Sequence, residues 1–300
     1  MWVQIRDLYL YFFRHAIIVN GYVDDHTWKG IRHRNWGDDL NYYMIRVLTG
    51  RPIVFYHNFR IARWLHLPNF LCIGTLLDGE AYKNRETIVW GSGCSGEDRG
   101  MSRPRKVCSV RGPISYTYLQ QQNVPSPEIY GDPALLLPMV CQPKCRKVQV
   151  EEGARVQGGQ RYKLGIIPHV VDQQHPVIQE IREKYADEIL VIDLAHYEQW
   201  TDVIDQICSC EKILSSSLHG LIVSDAYQVP NCWIELTGNI SGGYFKYHDY
   251  ASSVHREFTE PARIEIVEDL FSLKTTCAQK DIILKLQKNV IDCCPFHLKL

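Results

Sequence analysis

Short apolar runs rich in Ile, Val and aromatic residues alternate along this chain with longer amphipathic stretches, and that rhythm restricts the fold more than any other feature of the sequence. A strand followed by a helix, repeated, is the pattern of parallel βα units, because neighbouring parallel strands need a long crossover between them. In the first half the strand pattern falls on "LYLYFF" (8–13), "PIVFYH" (52–57), "FLCIG" (70–74), "TIVWG" (87–91), "KVCSV" (106–110) and "PEIYG" (127–131). Helices fit "GDDLNYYMIRVLTG" (37–50) and "GPISYTYLQQQNV" (112–124), the second with proline in its first turn, where a missing N–H is tolerated.

Between 140 and 163 the chain reads "VCQPKCRKVQVEEGARVQGGQRYK", polar, glycine-bearing and aperiodic, which is linker composition. The rhythm then restarts: strand "KLGIIP" (163–168), a helix over 173–185, strand "ILVIDL" (189–194), helix "EQWTDVIDQICSC" (198–210), strand "KIL" running into "SSSLHG", strand "CWIEL" (232–236) and a helical tail over 264–290. The expectation is an α/β protein of two Rossmann-like domains, residues 1–145 and 163–300, joined by a linker at 146–162. One doubly wound sheet is the alternative. In either arrangement ligands gather outside the carboxyl ends of the strands.

Composition excludes some functions. With 300 residues and a net charge of −1, the chain can build a large core but cannot hold nucleic acid by bulk electrostatics, so an anionic ligand needs a local site. Eleven cysteines, scattered through apparent strands and helices and preceded by no leader pattern, suggest a reducing cytoplasm. The close groupings Cys141/Cys145, Cys208/Cys210 and Cys293/Cys294 lack the C-x-x-C spacing of zinc sites, so no metal is expected, and no apolar run is long enough to span a bilayer.

Several polar segments fall at predicted strand ends. "RNWGDDLNYY" places Asn35, Asp38 and Asp39 at a helix start, where carboxylates can serve chemistry or simply complement the helix dipole. "WGSGCSGED" offers Gly91, Ser92 and Gly93 as a backbone cradle or as a plain turn. In "SVRGPISYTYL", Arg111 precedes a Gly-Pro helix start and suits a carboxylate or phosphate, or equally a structural aspartate. Asp132 in "EIYGDPALLLP" reads as a turn hydrogen-bonder. "GIIPHVVD" sets His169 just past a strand end. In "SSSLHG", Ser215, Ser216 and Ser217 bring hydroxyls and backbone donors to a helix N-terminus with His219 one turn in, a setting for phosphate. "SGGYFKYHDYASSV" carries Lys246, His248 and Asp249 among aromatics that suit a sugar or a packed helix.

In this order, "NWGDDLN", "GSG", "RGP", "GDPALLLP", "GIIPH", "SSSLHGLIVSDAYQVP" and "GGYFKYHDYASSV" make the chain resemble the polysaccharide pyruvyl transferase family. The resemblance implies a two-domain fold similar to GT-B glycosyltransferases, with the active site in the interdomain cleft. It implies a cytoplasmic enzyme of capsule or exopolysaccharide biosynthesis. Such an enzyme moves pyruvate from phosphoenolpyruvate, a co-substrate rather than a cofactor, onto two hydroxyls of a galactose, mannose or N-acetylhexosamine. It gives donor recognition to Arg111 and His219, and it departs from some relatives in having Ser217 where they carry a basic residue.

From that chemistry the donor would meet Arg111, Gly91, Ser92, Gly93, Ser216, Ser217, Leu218 and His219. The acceptor would meet Asn35, Asp38, His169, Lys246 and Asp249. His219 would shuttle a proton to the phosphate, Asp38 or Asp39 would steady the cation or take the hydroxyl proton, and His169 is the alternate base. A lipid-linked acceptor would bring the protein to the inner membrane face. A GT-B glycosyltransferase using a nucleotide sugar is the alternative, with Glu235 as its ribose ligand. A sugar-binding relative without catalysis is a third reading.

Overall fold

The computed structural model of the chain describes residues 2–21, 26–27, 30–31, 35–78, 85–96, 103–144, 162–240 and 242–300. Ten of its strands build two five-stranded sheets in which every pairing is parallel, and His26–Thr27 pairs antiparallel with Gly30–Ile31 in a small separate hairpin. The first holds β1 (Ile17–Val19), β2 (Ile53–Phe55), β3 (Asn69–Leu71), β4 (Thr87–Trp90) and β5 (Lys106–Ser109), in the order β2-β1-β3-β4-β5. The second holds β6 (Leu164–Ile167), β7 (Ile189–Val191), β8 (Ile213–Ser215), β9 (Asn231–Glu235) and β10 (Ala262–Arg263), in the order β7-β6-β8-β9-β10. Both halves therefore wind identically: a first strand, a step to one edge, then a reversal across the other side. The reversal leaves a crevice beyond the carboxyl ends of β1 and β3 in one half and of β6 and β8 in the other, where open α/β sheets bind ligands.

The helices are α1 (Trp2–Arg14), α2 (Trp36–Thr49), α3 (Arg60–Trp64), α4 (Pro113–Gln121), α5 (Leu137–Val140), α6 (Pro176–Lys184), α7 (Trp200–Ser209), α8 (Leu218–Ala226), α9 (Phe245–Ser253), α10 (Asp269–Ser272) and α11 (Lys280–Asp292). Local chemistry sets their ends. Asn35 caps α2, its side chain accepting from Gly37 N, and α2 buries Trp36, Leu40, Met44 and Leu48 at four-residue spacing. Proline opens α4 and α6, and Gln199 with Asp202 forms a capping box on α7.

Three expectations need correction. The "LYLYFF" segment belongs to α1, not to a strand: in a run apolar at every position the alternating and helical periods fit equally well, and the first strand proper is β1. "PEIYG" makes one parallel bridge, Val110 to Tyr130, beside β5 and then turns into a 3-10 helix, Pro133–Leu136, capped by Asp132. The tail is no continuous helix. After β10 it forms the single turn of α10 and an extended stretch in which Thr276 pairs with Asn231 before α11 begins. Apart from Tyr162, the expected linker at 146–162 lies outside the described residues, as do Arg34 and the Glu-Asp pair of "SGED".

The halves meet along α2. Trp36 donates its backbone N–H to Leu194 O and its indole to Trp200 O, each at 2.8 Å, while Tyr43 stacks on Trp200. From the other end of the chain, α11 returns to the first half: Trp90 donates to Val290 O, Gln287 donates to Leu135 O, and Phe296 packs on Phe70. One buried cluster runs continuously through these contacts from Ile17 to Ile213.

A second anchor is Asp225 on α8, fully buried, which accepts from both sides: Arg256 at 2.8 and 2.9 Å, Asn231 at 2.8 Å, Tyr250 at 2.8 Å and Ala278 N at 3.0 Å. Removing one partner of a buried pair strands the other charge, so Asp225→Ala should lower unfolding stability by about 3–5 kcal/mol in a urea titration. A change under about 1 kcal/mol would show that the network is replaceable.

Candidate functional site

The second crevice is built by the serine turn. Ser215 Oγ donates to Ser217 O at 2.8 Å and accepts from Ser217 N at 3.0 Å, which shapes the entry into α8. Ser216 Oγ donates to Asp172 at 2.6 Å and accepts from His169 N at 2.8 Å, and Ser216 O receives the Tyr247 hydroxyl at 2.7 Å. Asp172 also takes the Thr237 hydroxyl. Ser216 is thus committed to fastening the His169 loop beside α8. Ser217 is the N-cap of α8 but makes no side-chain cap bond. The first-turn N–H groups at Leu218, His219 and Gly220 have no intrahelical acceptor, and they lie at the positive end of the helix dipole.

His219 faces the first half. A Cβ on Gly37 would stand 2.0 Å from its Nδ1, so only glycine at the start of α2 permits this approach. Its Nε2 is buried and makes no hydrogen bond. Burial, followed by the charges of Arg111, Lys246 and His169, pushes the imidazole down to about 3, so it is neutral near pH 7. His169 is lowered to about 4 by burial and Lys246, against the opposing pull of Asp172. Lys246, on α9, is lowered to about 8 by burial and Arg111, while Asp38 pulls it back up. The Lys246 ammonium and the field of Arg111 therefore reach one place, beside two neutral imidazoles and the N-terminus of α8.

The first half supplies the framework. Asn41 on α2 accepts from Ile73 N at 3.0 Å and donates to Ile73 O at 2.8 Å, which fixes α2 over the end of β3. The neighbouring Asp38 carboxylate lies 3.6 Å from where a Cβ on Gly74 would stand, over the first crevice. Asp39 accepts the Tyr197 hydroxyl at 2.6 Å and joins the halves, and Asn35 serves as the α2 cap.

Arg111 is completely buried. Its Nε donates to Asp249 at 2.9 Å, one terminal nitrogen to Thr75 Oγ1 at 2.9 Å and the other to Cys94 O at 3.1 Å. The structural-aspartate pairing left open by the sequence is thus present, and the charge of Arg111 reaches the site as a field on His219 and Lys246. Asp249, expected at the acceptor, has no exposed oxygen. Besides Arg111 it accepts from Ser115 N at 2.8 Å and from Ser115 Oγ at 2.7 Å.

The Gly91-Ser92-Gly93 loop is closed rather than open. Gly91 N and Gly93 N donate to Ser109 O and Gly74 O, Ser92 Oγ donates to Gly74 O, and a Cβ on Gly93 would lie 2.3 Å from Arg111 Cζ. The loop is a bed for the guanidinium. Glu235 accepts from Tyr244 and pairs with Arg263. Among the described residues no group of three His, Cys, Asp or Glu is placed to hold a metal ion, and no helix is long and apolar enough to cross a membrane.

The structure thus brings together His219, His169, Lys246 and Asp38, with Leu218 and Ser217 at the helix start, and leaves Asp39, Asn35, Asp249 and the glycine loop in supporting positions. Sequence reasoning missed Asp172, Thr75 and Tyr247. Asp172 closes the quoted "GIIPHVVD", where a carboxylate just past a strand-end histidine was the available signal, and Thr75 directly follows "FLCIG".

With that geometry in view, comparison with known proteins is informative. The chain is 26% identical over 225 residues to "Uncharacterized protein L143" of Acanthamoeba polyphaga mimivirus, covering 74% of this chain and 71% of the relative. It is also 26% identical over 242 residues to "Succinoglycan biosynthesis protein ExoV" of Rhizobium meliloti (strain 1021), covering 78% of this chain and 66% of the relative. No solved structure matches. Residues 37–237, from the first turn of α2 to just past β9, match the polysaccharide pyruvyl transferase family, and the chain belongs to that family.

Proposed function

We propose that this protein transfers pyruvate from phosphoenolpyruvate to two hydroxyls of one sugar residue of a glycan or its precursor, forming a cyclic ketal and releasing phosphate. In this reading the halves form a GT-B-like pair with the substrates between them. The observation that carries it is the meeting of α8's N-terminus with His219, His169 and Lys246 at a topological switch point, where the Lys246 ammonium and the helix dipole make a local positive site in a chain of net charge −1.

The donor phosphate sits on the N–H groups of α8 with Lys246 beside it. Burial and then the nearby cations depress His219, and a dianion beside it pulls the other way, favouring the protonated imidazole that can pass its proton to the departing phosphate. Asp38, from the other half, is suited to steadying positive charge at C2 or to taking a hydroxyl proton, with His169 as the alternate base. The methylene carbon gains a proton as the C2–C3 double bond becomes single, and C2 gains two bonds to sugar oxygens and loses its bond to the phosphate oxygen. Of the two hydroxyl protons, one replaces the proton given to carbon and the other leaves with phosphate. Arg111 contributes its field from behind, and Asp172 positions Ser216 and His169.

The test is phosphate release from phosphoenolpyruvate by the purified chain with a panel of galactosides, mannosides and N-acetylhexosaminides, each product weighed by mass spectrometry. The expected product is a sugar gaining pyruvate less water with one acceptor only. Phosphate silence across the panel together with tight nucleotide-sugar binding would reject the proposal.

Two variants sharpen it. His219→Ala should lower kcat by about 10²–10⁴-fold with the fold intact, the range for losing a proton-transfer group. Lys246 is charged below about pH 8 and neutral above it. The KM for phosphoenolpyruvate should therefore be flat below that pH and climb about tenfold per unit above it, whereas Lys246→Arg, cationic throughout, should keep KM flat. An unchanged KM up to pH 10 in the parent protein would remove Lys246 from the donor site.

A further inference from the structure

α1 turns five large apolar side chains to solvent: Trp2, Ile5, Tyr9, Phe12 and Phe13, with exposures of 50% to 74%. Their spacing places them on one helical stripe, while Leu8, Leu10 and Tyr11 pack on the cluster of Ala16, Ile18 and Val54. Next to α1, α3 exposes Trp64 at 79%, and Leu65 follows it. A stripe of this size on a soluble face marks something that covers it.

The flank of the stripe says what. Arg6, Leu10 and Arg14 recur every fourth residue and form one wall of a cavity of about 430 Å³, whose opposite wall holds Arg46 and Arg51. Arg60 and Arg63 stand exposed on α3. Residues 2–21 and 42–68 contain a single acidic residue, Asp7, which pairs with Arg6. Among the described residues no carboxylate forms an ion pair with Arg14, Arg46, Arg51, Arg60 or Arg63. A second copy of the same face would oppose arginine to arginine, so the stripe and its basic border call for an apolar layer with anions at its surface. Helices with aromatic and aliphatic stripes bordered by arginine lie in that way at lipid interfaces.

We propose that α1 and α3 dock this protein on an anionic lipid bilayer, the α1 stripe entering the headgroup layer while Arg14, Arg46 and Arg51 receive lipid phosphates. The cavity borders the amino end of β2, whereas the site described above lies at carboxyl ends of strands, so docking leaves that site unoccupied. The inference stands independently of the pyruvyl reading.

Co-sedimentation of the full chain with vesicles tests it. Mixed phosphatidylcholine and phosphatidylglycerol vesicles should bind it and pure phosphatidylcholine should not, with binding falling as salt is raised. The double variant Phe12→Ser/Phe13→Ser, which changes only exposed side chains and should keep the parent's thermal midpoint, should bind about tenfold or more weakly. Arg14→Glu and Arg46→Glu should each cost about fivefold or more. No binding to mixed vesicles, equal binding to both kinds, or unaltered binding by the phenylalanine variant would overturn the proposal. So would a dimer in sedimentation that dissociates in that variant.

Discussion

A guanidinium with no exposure must find an anion inside the protein, and Arg111 finds it across the boundary between the halves, in Asp249. An unpaired buried charge costs several kcal/mol, so the pair is a strong constraint on how α9 of the second half seats against the first. Lys246 rides on that same helix, one turn before Asp249, and is placed by the same contact. Thr75, Cys94 and the flat surface of Gly93 complete the seat. Because the charge is buried, its field is weakly screened and reaches His219 and Lys246, depressing both. One ion pair thus contributes to both the shape and the potential of the site.

The duplicated winding explains why the site lies where it does. Each half reverses direction once, and α2 and α8 begin beside those reversals, so their N-termini face one another with Gly37 against His219. Neither half is complete alone. The first brings α2 with Asp38 and the bed of Arg111, and the second brings the serine turn, His169 and Lys246. Under the proposed chemistry this division suits a reaction with two substrates, one phosphorylated and one carrying hydroxyls.

Much of this was legible in the sequence, for identifiable reasons. The strands from β2 onward carry β-branched runs between turn signals, so most were located to within a few residues, and "SSSLHG" fell on a strand-to-helix turn because apolar runs flank it on both sides. Where every position was apolar, as in residues 8–13 of α1, period could not distinguish helix from strand. The tail fails for a different reason. Its extended stretch depends on Thr276 pairing with Asn231 and on Ala278 N reaching Asp225, contacts between residues far apart in the chain. The same limit governs side-chain roles. Arg111 and Asp249 each look like ligand-binding residues in their own motifs, and only their juxtaposition reveals that they bind each other. Asp172 went unmarked because its partners, Ser216 and Thr237, come from two other loops.

The most direct test of the central claim is a crystal structure with phosphoenolpyruvate bound. The phosphate should lie within hydrogen-bonding distance of the N–H groups at Leu218 to Gly220, with His219 Nε2 and Lys246 as neighbours and the Arg111–Asp249 pair undisturbed. Phosphate density elsewhere, or an Arg111 side chain swung away from Asp249 to hold the donor, would contradict it.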